Sequence, residues 1–440
     1  MKKIVSIIFS FILLQSLTAQ ELPPFEDGST VCCVGNSITQ DGRYHMLLQA
    51  YYATRHPESR VRFISCGIGG DTTSDMIARF EGDVMRYNPN YALLMTGMND
   101  MSTALYYKDI EVNDALLAKR EASMQRYYKL TEQLINMMLE RGIKPILLTP
   151  TFYDETAQLA TPTLVGKCAA LLKCADHIKA MGKKYNIPVV DLTQFMLSIN
   201  LDAQKSNPEY TIISGDRVHP ADTGHFIMAY RVISTLWSNE KIVNKESIDA
   251  KSRDEITFEV TPSALPFPIR ENFVEAQRFV PFVEEHNREI LEVRNLKKGE
   301  YLLSIDDIVV DTLSSHDLQR GVNFATNHHT PQYKQAEEVF ALCEKYHATQ
   351  TIIRHIANVE YKRLKNYKGE DSMAAKQKYL DAENEKSKGK PWYGSGVKIV
   401  NSYYKNKPQE AQITKELDDI HSQIYTINAP RKATYRLKRL

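Results

Sequence analysis

The chain has 440 residues, 43% of them apolar and a quarter charged, enough to bury a sizeable core in more than one domain. Fifty-five lysines and arginines against 54 aspartates and glutamates leave a formal charge of +1, which argues against a nucleic-acid partner held by bulk electrostatics. The one biased stretch is the C-terminal tail, where Arg431, Lys432, Arg436, Lys438 and Arg439 cluster and read as a solvated basic end.

At the N-terminus Lys2 and Lys3 precede an apolar run from Ile4 to Leu14, and Leu17-Thr18-Ala19 supplies a small residue before Gln20. Residues 1–19 therefore read as a signal peptide. The run is shorter than the ~20 residues of a membrane span, so the expectation is export to a periplasm or the exterior rather than anchoring. No cysteine lies near the cleavage site, and no later stretch is apolar enough to cross a bilayer.

From residue 31 to about 237, short apolar runs alternate with helical patterns. Candidate strands are Thr30–Val34, Val61–Ser65, Tyr91–Thr96, Lys144–Thr149 and Pro188–Asp191, with a helical segment after each of the first four. Such alternation implies parallel strands with right-handed crossovers, hence a three-layer α/β/α domain, assigned to residues 20–245. Sites in these sheets form beyond the carboxyl ends of the strands. After about residue 241 the texture changes. Ile256–Val260, Glu289–Leu296, Glu300–Asp306 and Ile308–Leu313 read as strands of a small β element, residues 246–330, with a turn at Asp306-Asp307. Residues 331–440 read as mainly helical. Ala336, Val339, Phe340 and Cys343 form one stripe at helical spacing, and Ile413, Leu417, Ile420 and Ile424 another, packing on either the β element or the first domain. Trp392 and Tyr393 beside Gly394 are either a sugar-stacking platform or anchors of a loop.

The six cysteines do not suggest a disulfide framework: Cys32 and Cys33 are neighbours on a strand and face opposite ways, and Cys168, Cys174 and Cys343 sit in helical patterns. Buried free thiols are the better reading. No Cys-x-x-Cys pair exists and the twelve histidines are scattered, His328 and His329 in a loop-like stretch, so no metal site and no cofactor are expected.

Four short blocks carry chemistry: Gly35-Asn36-Ser37-Ile38-Thr39, Gly67 to Thr73 (GIGGDTT), Gly97 to Asp100 (GMND) and Asp216 to Pro220 (DRVHP). Serine is a weak nucleophile until a base takes its proton, and histidine can do so near neutral pH. Asp216 and His219 are close enough in sequence to place a carboxylate against one ring nitrogen while the other faces Ser37. The N–H groups of Ser37 and Gly70 and the amide of Asn99 are candidate donors to a carbonyl oxygen that gains negative charge. Each block alone has a plain structural reading as a turn or a cap. Together, in this order and each of the first three after a predicted strand, they point to acyl transfer. No Gly-x-Ser-x-Gly elbow is present, which argues against the α/β-hydrolase architecture. Tyr153 and Asp154, after the fourth strand, are candidates for shaping a substrate pocket, with packing and capping as the alternative. Arg43, Tyr44 and His45 stand similarly open.

The order and spacing of these blocks resemble the SGNH hydrolases, or GDSL esterase/lipase superfamily, over roughly the first half of the chain. The resemblance implies Ser37 as nucleophile, Gly70 and Asn99 as oxyanion donors, and His219 as base with Asp216 three residues before it. One departure is Asn36, where the family usually has Asp; it is nearly isosteric and is not the triad acid. The β element resembles the accessory segment that follows the catalytic domain in some bacterial members. The expected function is an exported serine esterase acting on short acyl esters, acetyl above all, of a small molecule or polysaccharide. The alternatives are a lipid or lysophospholipid esterase, an acyltransferase, and a noncatalytic glycan-binding protein on the same scaffold.

Overall fold

The computed structural model describes residues 22–238 and 242–440; the expected signal peptide, 1–19, lies outside the described residues. The first half runs β1 (Thr30–Gly35), α1 (Ser37–Asp41), α2 (Arg43–Arg55), β2 (Arg62–Gly67), α3 (Thr73–Arg79), β3 (Tyr91–Met95), α4 (Asp114–Glu140), β4 (Lys144–Leu148), α5 (Lys167–Tyr185), β5 (Val189–Val190), α6 (Leu192–Gln204) and α7 (Asp222–Leu236). Its five strands form one parallel sheet in the order β2-β1-β3-β4-β5. Alternate side chains feed opposite layers, as a pleated strand requires. Val31 and Cys33 join a core with Leu47, Leu48, Ile227 and Val232. Cys32 and Val34 join another with Met76, Leu134, Ile135 and Ile178. Covered on both faces, the strands can be apolar throughout, which is why they read as continuous runs. The strand order reverses between β1 and β3, and the carboxyl ends of those two strands open the crevice where such sheets bind ligands.

The second half continues with β6 (Val243–Asp249), β7 (Glu255–Val260), α8 (Phe282–His286), β8 (Arg288–Arg294), β9 (Glu300–Ile305), β10 (Ile308–Ser314), α9 (Ser315–Arg320), β11 (Val322–Asn323), α10 (Pro331–Asn358), α11 (Met373–Lys386), α12 (Tyr393–Asn406), α13 (Glu410–Ile427) and β12 (Ala433–Arg439). Asp306 and Asp307 turn the β9–β10 hairpin with φ of 47° and 63°, values that suit a tight hairpin turn. The basic tail, expected to be solvated, is strand β12, inserted between β9 and β7. Ala433 and Leu437 face the small core, while Arg436 and Arg439 pair outward with Glu255 and Asp254. The exposed basic residues between and after Ala433 and Leu437 hid this alternation.

The C-terminal helices pack on the first sheet. Ala336, Val339, Phe340, Cys343, Ile420 and Ile424 share the core of α2 and α7. Ile413 instead joins a small core with Ile353, Ile356 and Tyr403. Trp392 stands exposed before α12. Strand β2 is an edge, and α10 covers it by imitating a neighbouring strand: Gln350 Oε1 accepts the Ser65 N–H at 2.7 Å and its Nε2 donates to the Phe63 carbonyl at 3.0 Å. Satisfying edge groups in this way removes a site for unwanted pairing.

Candidate active site

Ser37 opens α1 immediately beyond β1. Asn36 caps the turn, its Oδ1 accepting the Ile38 N–H at 3.1 Å. That bond needs an acceptor oxygen and no charge, so the substitution of Asn for the usual Asp leaves the turn intact. Gly67 packs against this turn so closely that a Cβ would lie 2.2 Å from the Gln40 nitrogen.

His219 approaches from the loop before α7. Its Nε2 lies 2.7 Å from Ser37 Oγ and its Nδ1 2.6 Å from Asp216 Oδ2, a geometry that fits a ring proton on Nδ1 given to the carboxylate. The other Asp216 oxygen accepts the Val218 and His219 N–H groups, both at 2.9 Å, and the Ser214 hydroxyl at 2.9 Å. Burial pushes the Asp216 carboxyl up, but the His219 ring and these N–H groups outweigh it and hold it well below the usual carboxylate range. The pair is open to solvent, with side chains 43% and 51% exposed.

Two loops form the opposite wall. Gly70 adopts φ +75°, a left-handed conformation that favours glycine, and a Cβ on its neighbour Gly69 would lie 3.9 Å from Ser37 Cβ. Asn99 follows β3, and its Nδ2 donates to the Asp71 carbonyl at 2.9 Å, its second amide hydrogen having no partner among the described residues. Asp100 ties the loops together by accepting the Thr73 N–H at 3.0 Å and the Gly97 N–H at 3.2 Å. Ser37, Gly70, Asn99, Asp216 and His219 thus converge at the β1–β3 switch point.

Tyr153 and Asp154 do not face that crevice. Both are buried, 2% and 0% exposed. Tyr153 Oη accepts the Leu164 N–H. Asp154 accepts the Thr156 and Ala157 N–H groups and the Asn200 and Gln204 amides. Of the two roles open to them, they take packing and capping. Arg43 pairs with Asp41 and Asp222, and Tyr44 and His45 are core residues.

Several residues that hold the walls carry no mark in the sequence. Arg217, between Asp216 and His219, has φ +67° and donates to the carbonyls of Asp154, Ala157, Leu159 and Thr161. Behind the Gly70 loop, Arg79 pairs with Asp71 at 2.8 Å and Asp83 at 2.5 Å. It also donates to the Gly35 and Cys66 carbonyls. Arg354 of α10 grips both Asp83 oxygens at 2.7 Å and the Gly67 carbonyl at 3.1 Å. Among the described residues no group of His, Cys, Asp or Glu is arranged to hold a metal ion.

A hydroxyl, an imidazole and a carboxylate in hydrogen-bonded series at the switch point of a parallel α/β sheet define the class: a serine hydrolase. Residues 33–227 match the GDSL-like lipase/acylhydrolase family. This segment carries a GDSL-like acylhydrolase domain of the SGNH type, consistent with a carboxylic ester hydrolase. Acetylxylan esterase of Geobacillus stearothermophilus is 27% identical over 227 residues, 46% of this chain and 91% of that protein. Uncharacterized lipoprotein YqeF of Bacillus subtilis is 28% identical over 164 residues, 34% of this chain and 62% of that protein. The solved structure of a gut microbial diltiazem-metabolizing enzyme is similar over 96% of this chain and 100% of its own, with a TM-score of 0.81 and 26% identity. That similarity includes the C-terminal half.

Proposed function

We propose that the protein removes short acyl groups, acetyl above all, from esters of a carbohydrate, through an acyl-Ser37 intermediate. The observation that carries the mechanism is the continuous series Asp216–His219–Ser37 at 2.6 Å and 2.7 Å. His219 Nε2 takes the hydroxyl proton as Ser37 Oγ attacks the ester carbonyl, and Asp216 steadies the imidazolium that forms. The oxygen of the tetrahedral species is met by the N–H groups of Ser37 and Gly70 and the second amide hydrogen of Asn99. Collapse breaks the bond to the alcohol, which leaves with the proton from His219. Water then attacks the acyl-serine with His219 again as base, releasing the acid.

The acetyl and carbohydrate parts are supported by the relative named as an acetylxylan esterase, to which the family segment is 27% identical. A second reading, a small non-sugar ester, is supported by the diltiazem-metabolizing enzyme, which matches nearly the whole chain. Export is part of the proposal and rests on residues 1–19. Among the described residues no helix is long and apolar enough to cross a membrane.

The test is acid release by the chain beginning at Gln20, with Ser37→Ala beside it, from p-nitrophenyl esters of increasing acyl length and from acetylated xylan. Acetyl preference with turnover on xylan is expected, and Ser37→Ala should lose on the order of 10⁶-fold in kcat. Preference for long acyl chains, or turnover surviving in Ser37→Ala, would overturn the reading.

A further inference from the structure

Helix α10 does not simply end at Asn358. The chain continues as a π-helical turn over Val359–Arg363, a rare winding often found at functional sites. Asn358 and Lys362, on either side of the start of that turn, reach the same loop. Asn358 Nδ2 donates at 3.3 Å to Gln40 Oε1, which also accepts the Gly69 N–H at 2.7 Å. Lys362 Nζ donates to the Gly69 carbonyl at 2.6 Å and lies 3.2 Å from Asp71 Oδ1. A Cβ on Gly70 would lie 2.9 Å from the same ammonium. Both polar groups of Gly69 are therefore held, and Lys362 covers the next residue.

The carbonyl that Lys362 takes belongs to the same peptide group as the Gly70 N–H. In a planar trans peptide the two point in opposite directions, so fixing Gly69 O toward the ammonium fixes the Gly70 N–H away from it. That N–H makes no hydrogen bond among the described residues. A cation on the carbonyl also polarises the amide and makes its N–H a stronger donor.

We infer that Lys362 is a positioning residue for ester hydrolysis: it orients and polarises the Gly69–Gly70 peptide so that the Gly70 N–H meets the oxyanion. The inference rests on the reading of Ser37, Gly70 and Asn99 given above. It makes the C-terminal region part of the catalytic apparatus, because Lys362 lies outside the segment 33–227 that matches the family. No covalent bond forms or breaks at Lys362.

The test measures kcat and KM of the full chain on p-nitrophenyl acetate for Lys362→Met, Lys362→Gln and Lys362→Arg, with Ser37→Ala and a thermal melt of each. Losing an oxyanion donor outright lowers kcat by about 10²–10³-fold, so a donor left in place but unheld should lose roughly ten- to hundredfold in Lys362→Met. KM should stay within about twofold, because the oxyanion exists only on the way to the transition state. Lys362→Arg, which keeps a cation on the carbonyl, should recover most of the loss, and Lys362→Gln, which keeps only a neutral donor, less. A folded Lys362→Met with parental kcat, a loss carried by KM, or no recovery with arginine would overturn the inference. Should Lys362→Met fail to fold, the glutamine and arginine variants decide by the same ordering. An inactive Ser37→Ala beside an unaffected Lys362→Met removes only the role of Lys362, whereas an active Ser37→Ala removes the site reading and this inference with it.

Discussion

The two walls of the crevice are held by different physics. The histidine wall is mostly local: Ser214, Asp216, Val218 and His219 bond to one another within six residues and are open to solvent, and the buried Arg217 reaches from it to the 154–161 segment. The wall that carries Gly70 and Asn99 is held by a buried charge cluster, with Arg79 on Asp71 and Asp83 and Arg354 reaching across from α10. Its charges are buried, with Asp83 0% and Arg354 1% exposed. A short motif supplies most of the bonds of the first wall. The second draws on both halves of the chain, Arg79 from the family segment and Arg354 from α10.

The sharpest way to break the comparison is to remove the charge from the local wall and keep its shape. In Asp216→Asn the remaining oxygen can still accept the Val218 and His219 N–H groups, so the melting temperature should hardly move. Loss of the carboxylate that fixes the tautomer should lower kcat by roughly 10⁴-fold. A loss below tenfold would mean that Asp216 only shapes the loop.

On the other wall the expected effect is on stability first. Arg354→Met leaves Asp83 buried with Arg79 alone, and breaking a buried pair this way costs about 3–5 kcal/mol, readable in urea unfolding. The pH dependence has a definite sign. Burial pushes Asp83 up, but Arg354 and Arg79 outweigh it, so its folded pKa lies below the usual value. Its contribution is therefore full above the unfolded pKa of about 4 and is lost as pH falls through the folded value. In Arg354→Met the folded pKa rises, so acid unfolding should begin at higher pH. An unchanged acid midpoint would show that Arg79 alone suffices.

The smallest expected effect belongs to Asn36→Asp. Its oxygen already makes the bond that caps α1, so restoring the usual family residue should change kcat/KM by no more than about threefold, within the range of one hydrogen bond. A larger gain would mean that a charge at this position matters to the reaction.

Much of the candidate site was legible in the sequence. Ser37, Gly70 and Asn99 each follow a strand, and Asp216 and His219 are three apart, so chain connectivity alone brings their blocks to one edge. Tyr153 and Asp154 showed the limit: position after a strand marked them as candidates, but burial turned them inward. Strand β12 showed another, because its buried residues, Ala433 and Leu437, are interspersed with the exposed charges Arg436, Lys438 and Arg439.

By itself the sequence determined the alternating α/β pattern, the four blocks and the order in which they meet, because apolar periodicity and turn chemistry are local properties. Only the tertiary structure decided the strand order that puts the switch point between β1 and β3, and the side chains that hold the Gly67–Asp71 loop. Arg354 and Lys362 lie nearly three hundred residues from their partners there. Nothing in their own neighbourhood marks them, since a charge on a helix reads as solvated until packing takes it out of water and gives it a partner.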